Sequence, residues 1–105
     1  MASPVNHSSQ PIHVEQTAEF RKWLGRLKDV RARKVIARRI ARIRVGLLGD
    51  VKFFTGIGEI RIDYGPGYRL YFVERSKVLI VLLCGGDKSS QDRDIARALA
   101  MAKEI

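Results

Sequence analysis

Glu59-Ile60-Arg61-Ile62-Asp63-Tyr64-Gly65-Pro66-Gly67-Tyr68-Arg69-Leu70-Tyr71-Phe72 is the stretch from which the rest of the chain can be placed. Ile60 and Ile62 alternate with Glu59, Arg61 and Asp63, the period of a strand with one buried face. Tyr64-Gly65-Pro66-Gly67 is a turn signal, because Gly tolerates positive φ and Pro pre-sets the bend. Residues 68–73 then return as a second strand. A slip of one residue would exchange buried and exposed sets, so the apolar residues dictate the register. Only Ile60 opposite Leu70 and Ile62 opposite Tyr68 keeps them together, and that pairing sets Arg61 across from Arg69 and Glu59 across from Tyr71.

Two arginines face to face in a sheet repel, and a bound phosphate would relieve the cost. Arg61 and Arg69 are therefore the first candidate ligands for a polyanion, with RNA the leading expectation. The competing reading is an ordinary solvated face on which Glu59 and Asp63 neutralise both guanidinium groups. Lys88 adds a third cation just after Gly85-Gly86, near the start of the last helix, where free amides attract anions; its plain reading is a solvated loop lysine.

Working outward, residues 78–84 are apolar at every position, as in a central strand covered on both faces. Ser89 with Asp92 suits a capping box opening a last helix, whose buried face includes Ile95, Leu99 and Ala102. Upstream, residues 12–15 read as an edge strand, and Thr17 can cap a helix with Phe20, Trp23, Leu24 and Leu27 on one face. Asp29 can cap a second helix with Ile36, Ile40, Ile43 and Leu47 buried, and the tight joint between the two predicts an α-hairpin. Gly46 and Gly49 end the helical pattern, and residues 48–55 read as a loop carrying Asp50, Lys52, Phe53 and Phe54. The predicted order is β-α-α-β-β-β-α. This is an α+β domain, with an N-terminal strand and α-hairpin packed on a mainly antiparallel sheet and a C-terminal helix.

The 105 residues suffice for one core, so a single domain is expected over 12–105, after a tail at 1–11 read as disordered. The 20 Lys and Arg against 11 Asp and Glu give a formal charge of +9, which favours phosphate-rich or acidic partners. Arg31, Lys34, Arg38 and Arg42 line one face of the second helix, and with Lys52 they are candidate phosphate contacts along RNA. The first ten residues lack a basic n-region and an apolar core, and 78–84 falls far short of the roughly 20 residues of a membrane span, so a soluble cytoplasmic protein is expected. The lone Cys84 excludes an intrachain disulfide, and no Cys or His cluster has zinc spacing, so neither metal nor cofactor is expected.

The strings Leu27-Lys28-Asp29, Gly49-Asp50-Val51-Lys52, Glu59-Ile60-Arg61-Ile62, Tyr64-Gly65-Pro66-Gly67-Tyr68-Arg69 and Gly85-Gly86-Asp87-Lys88-Ser89-Ser90-Gln91 together resemble the RelE/ParE toxin superfamily. The likeness is in particular to the HigB-like "addiction module killer" proteins, grouped with phage-derived Gp49-like proteins, and it runs from about residue 12 to the end in the same order of elements. It implies a toxin held in a hetero-oligomer by a cognate antitoxin, in HigB-like systems typically a HigA-like helix-turn-helix protein. It also implies metal-free cleavage of mRNA on the ribosome. Arg69 matches the arginine of the Gly-Tyr-Arg stretch, Arg61 a basic position on the preceding strand, and Lys88 one after the last strand. Glu59 stands where RelE-type toxins can carry a lysine, and Asp94 stands near a position where several carry Tyr or His. Within the same superfamily a ParE-like gyrase inhibitor is an alternative, as is a non-catalytic RNA- or protein-binding module.

Cleavage without a metal needs a proton acceptor for the 2′-hydroxyl, cations for the charge at phosphorus and a donor for the leaving oxygen. Arg61, Arg69 and Lys88 can supply the charge. His7 and His13 lie away from the hairpin. Glu59, Asp87 and Asp94 remain as possible bases, with Tyr71 as a stacking or proton-donating group.

Overall fold

The computed structural model describes residues 11–105, so most of the segment expected to be a disordered tail, and His7 with it, lies outside the described residues. In chain order the elements are β1 His13–Gln16, α1 Ala18–Arg26, α2 Val30–Arg44, β2 Val51–Phe54, β3 Ile57–Ile62, β4 Tyr68–Arg75, β5 Leu79–Asp87 and α3 Gln91–Ala102, the last entered through a 3-10 turn at Lys88–Ser90. The five strands form one mixed sheet in the order β1-β5-β4-β3-β2, and β1 runs parallel to β5 while the other pairs are antiparallel. The α+β class is the one predicted.

Both helix caps form as expected: the Thr17 hydroxyl accepts from the Phe20 amide and the Asp29 carboxylate from that of Ala32. Ile36, Ile40 and Ile43 of α2 and Phe20 of α1 are buried against Ile60, Ile62, Leu70, Ile80 and Leu82 of the sheet. Leu47 lies beyond the end of α2 and is exposed. On the opposite face, Ala98 and Met101 of α3 pack with Tyr71, Val73, Val81 and Leu83, joined by the partly buried Ile95, Leu99 and Ala102. The sheet is thus the middle of three layers, and β5 is interior to it, covered on both faces.

Two expectations are corrected. The segment read as a loop contains β2, which pairs Val51 with Ile60 and Lys52 with Glu59 and forms the sheet's second edge. The capping box also sits elsewhere. Asp87, not Ser89, is its first residue, with Ser90 as its reciprocal partner, and it caps the 3-10 turn; the Ser90 side chain makes no capping bond to α3.

The register of the hairpin is the predicted one. Ile60 pairs with Leu70, Ile62 with Tyr68, Arg61 with Arg69 and Glu59 with Tyr71. Alternation then sends Ile60 and Ile62 toward α1 and α2, and Glu59, Arg61, Arg69 and Tyr71 toward the face of α3.

Candidate anion-binding site

At the Arg61 end of the hairpin an open pocket of about 230 Å³ is lined by Asp50, Arg61, Asp63, Gly67, Arg69 and Lys88, with Ile62 at its margin. The three cations read from the sequence therefore meet in one place. Gly67, at φ +81°, lets the chain turn there, and a Cβ on it would come within 3.0 Å of the Lys88 side chain. The glycine thus makes room for the lysine stem beside Arg69.

The two arginines differ in exposure. Arg61 is partly exposed; its Nε donates to Glu59 at 3.2 Å and its guanidinium lies 4.0 Å from Asp50. Arg69 is 8% exposed, far less than a residue offered freely to solvent. One of its terminal nitrogens donates to the carbonyls of Gly67 and Tyr68, while its buried Nε has no hydrogen-bond partner. A buried donor left unpaired costs roughly 1–3 kcal/mol. That nitrogen has no surface open to the pocket, so what the pocket can offer an anion is the charge of the Arg69 guanidinium and not this donor. Asp63 is exposed on the rim and pairs with neither guanidinium among the described residues; Glu59 and Asp50 both pair with Arg61, and Arg69 donates to carbonyls alone, so the expected neutralisation of both arginines is corrected to Arg61 only.

Beneath the pocket, Glu59 has no exposed surface and accepts from three elements at once: Arg61 of β3, Tyr71 of β4 at 3.0 Å and Gln91 at the start of α3 at 2.8 Å. These bonds occupy both carboxylate oxygens, so Glu59 fixes the site's floor and is not presented to a ligand. Tyr71 is fully buried, and no ring face is open for a base to stack on. Burial, then the adjacent Glu59 carboxylate, raises its hydroxyl well above the usual tyrosine range. Asp87 caps the 3-10 turn, and the hydrogen bond from the Ser89 hydroxyl holds its carboxyl below the usual range. Asp94 accepts from the Ser90 hydroxyl beneath Gly86, where a Cβ would strike its carboxylate.

Arg39 and Gln91 were not singled out from the sequence. Arg39, on the flank of α2, donates to the carbonyls of Arg61 at 2.8 Å and Leu48 at 3.0 Å. Gly49, at φ +73°, leaves space for that guanidinium, since a Cβ there would lie 2.7 Å from it. Burial, followed by the nearby Arg42, lowers the pKa of Arg39. The clamp fixes the main chain of Arg61 where β3 runs past β2. An arginine in a basic helix gives no sequence signal of such a role.

Arg31, Lys34, Arg38 and Arg42 are exposed and lie on the other side of the sheet from the pocket. At about 100° per residue they fall within an arc of about 80°, a stripe along α2. Seven of the fifteen residues of α2 are Arg or Lys and none is acidic. Lys52 belongs to neither group: it sits on edge strand β2 with its ammonium 5.1 Å from the centre of the Phe54 ring. Among the described residues no cluster of His, Cys, Asp and Glu forms a metal site, and no helix is long and apolar enough to cross a membrane.

Compared with known proteins, the chain is 47% identical over 95 residues to an uncharacterized protein of Haemophilus influenzae, spanning 90% of this chain and 96% of that one. No family model matches.

Proposed function

The chain belongs to the same family as the Haemophilus influenzae protein, and we propose that it is the toxin of a type II toxin–antitoxin pair, a ribosome-dependent mRNA endoribonuclease of the RelE/ParE, HigB-like kind. The observation that carries the reading is the meeting of Arg61, Arg69 and Lys88 at one pocket. Three cations fixed on a sheet suit the extra charge that develops at phosphorus when a 2′-hydroxyl attacks. The strings around Tyr64–Arg69 and Gly85–Gln91 support the family assignment. On this reading the protein acts in the cytoplasm, where a HigA-like antitoxin holds it inactive, and the stripe on α2 contacts RNA phosphates.

Asp63 and Asp50 are the exposed carboxylates at the pocket, since Glu59 is sealed beneath it. The full engagement of Glu59, which accepts from both Tyr71 and Gln91, favours a second reading, a ParE-like gyrase inhibitor or other binding protein that cuts nothing.

In vitro translation followed by primer extension tests the first reading. The wild-type chain should leave discrete mRNA ends only when ribosomes are present, and Arg61→Gln and Lys88→Ala should each reduce cutting at least tenfold while melting as the wild type does. Unchanged cutting by both folded variants would sink the proposal. Growth arrest with intact mRNA and inhibited gyrase would select the alternative. Arg69→Ala is a poorer probe alone, because it removes a buried side chain.

A further inference from the structure

A second concavity of about 280 Å³ lies between α1 and α3 at the edge of β5, lined by Glu19, Lys22, Trp23, Arg26, Leu27, Cys84, Gly85, Asp94 and Arg97. Its position follows from the sheet. β1 pairs with β5 only as far as Leu82, and Thr17 then bonds the carbonyls of Leu82 and Leu83 before the chain enters α1. From Cys84 onward β5 has β4 on one side and no strand on the other. Asp87 gives its outward main-chain groups to the Ser90 hydroxyl, and by the two-residue alternation of an antiparallel pair those of Gly85 also face outward.

The floor is apolar. Trp23 lies directly over Gly85, where a Cβ would come within 2.3 Å of the indole, and it also packs against Phe20 and Tyr68. One end of the groove is closed by a bidentate bridge from Arg97 to Glu19, which holds the Glu19 carboxyl below its usual range. With Asp94 paired to Arg93 at 4.0 Å, the charges left uncompensated are Lys22 and Arg26, exposed one turn apart on α1 and unpaired by any acid among the described residues.

We infer that this groove is a docking site for an extended, acidic segment of a partner protein. The segment seats an apolar side chain against Trp23 and Leu27, pairs its main chain with Gly85, and directs carboxylates to Lys22 and Arg26. Single-stranded nucleic acid fits less well: the indole face over Gly85 is already covered, so no base can stack there. The inference is independent of the RNA reading, because it uses none of Arg61, Arg69 and Lys88.

Trp23 is the chain's one tryptophan, so its fluorescence reports directly on the groove. The probe is a blocked hexapeptide, (Asp-Val)3, titrated into the full chain, with (Lys-Val)3 and hexauridylate as comparisons. Saturable change in Trp23 emission with (Asp-Val)3 is expected, weakened at least tenfold by the pair Lys22→Glu and Arg26→Glu, and unaffected by Lys88→Ala. N-methylation at alternate peptide residues should abolish binding in one phase and not the other. No saturable change with the acidic peptide, equal binding by the Lys22→Glu, Arg26→Glu protein, or a response to hexauridylate in place of the peptide would each overturn the inference. Loss of RNA cutting in Lys88→Ala with peptide binding intact separates the two sites.

Discussion

Tyr71 carries its hydroxyl into a fully buried position against the Glu59 carboxylate, and both the burial and that neighbour disfavour ionisation. An acid whose folded pKa is raised contributes stability in full below its unfolded pKa of about 10, and loses it as pH climbs toward the folded value. Urea midpoints should therefore fall steeply above pH 10 in the wild type. Tyr71→Phe removes one of the donors to Glu59 and should be less stable at pH 7 by about 1–2 kcal/mol, yet show a flatter decline above pH 10. Cys84, its thiol pushed up to about 12 by burial, titrates in the same direction but is common to both proteins. Parallel pH profiles for the two would contradict the buried Tyr71–Glu59 bond. The ion pair with Arg61, together with the bonds from Tyr71 and Gln91, is what lets Glu59 carry its charge with no exposed surface.

Glycines divide at the level of the elements. Gly58 of β3 faces Phe72 of β4, and a Cβ there would lie 2.2 Å from the ring, so Gly58→Ala should cost roughly 1–3 kcal/mol. Gly25 of α1 faces open space, with nothing within 4 Å of where a Cβ would stand, and Gly25→Ala should stabilise by about 0.5–1 kcal/mol through helix propensity alone. Thermal melts of the two variants should shift in opposite directions; a shared sign would mean one of these packings is wrong. The hairpin was legible in the sequence because Ile60, Ile62, Tyr68 and Leu70 admit one register. β2 was not, because Val51-Lys52-Phe53-Phe54 is four residues long, shows no alternation of burial and lies between Gly49 and Gly56. Nor was the burial of Glu59 and Arg69. Period-two alternation assigns them to the far face of the sheet, and only the placement of α3 decides how much of that face water reaches.

Charge is distributed unevenly over the whole molecule. Of the 20 Lys and Arg, seven lie on α2, which has no acid, while Arg61, Arg69 and Lys88 gather across the sheet near Glu59, Asp50 and Asp63. The pocket is thus locally balanced and the helix is not. A balanced site gives geometry at one phosphate, whereas an unbalanced stripe gives long-range attraction that salt screens. The two should separate experimentally. Each phosphate neutralised along a single strand contributes about 0.7 to the slope of log affinity against log salt, so Arg38→Glu with Arg42→Glu should lower the slope for RNA by about 1.4 or more. Because these residues are exposed and across the sheet from the pocket, mRNA cutting by the bound complex should persist at low salt. Arg61→Gln should do the reverse, impairing cutting while changing the slope by no more than one such step. A slope untouched by the α2 pair would mean that RNA does not travel over that helix, and that its charge serves some other acidic partner.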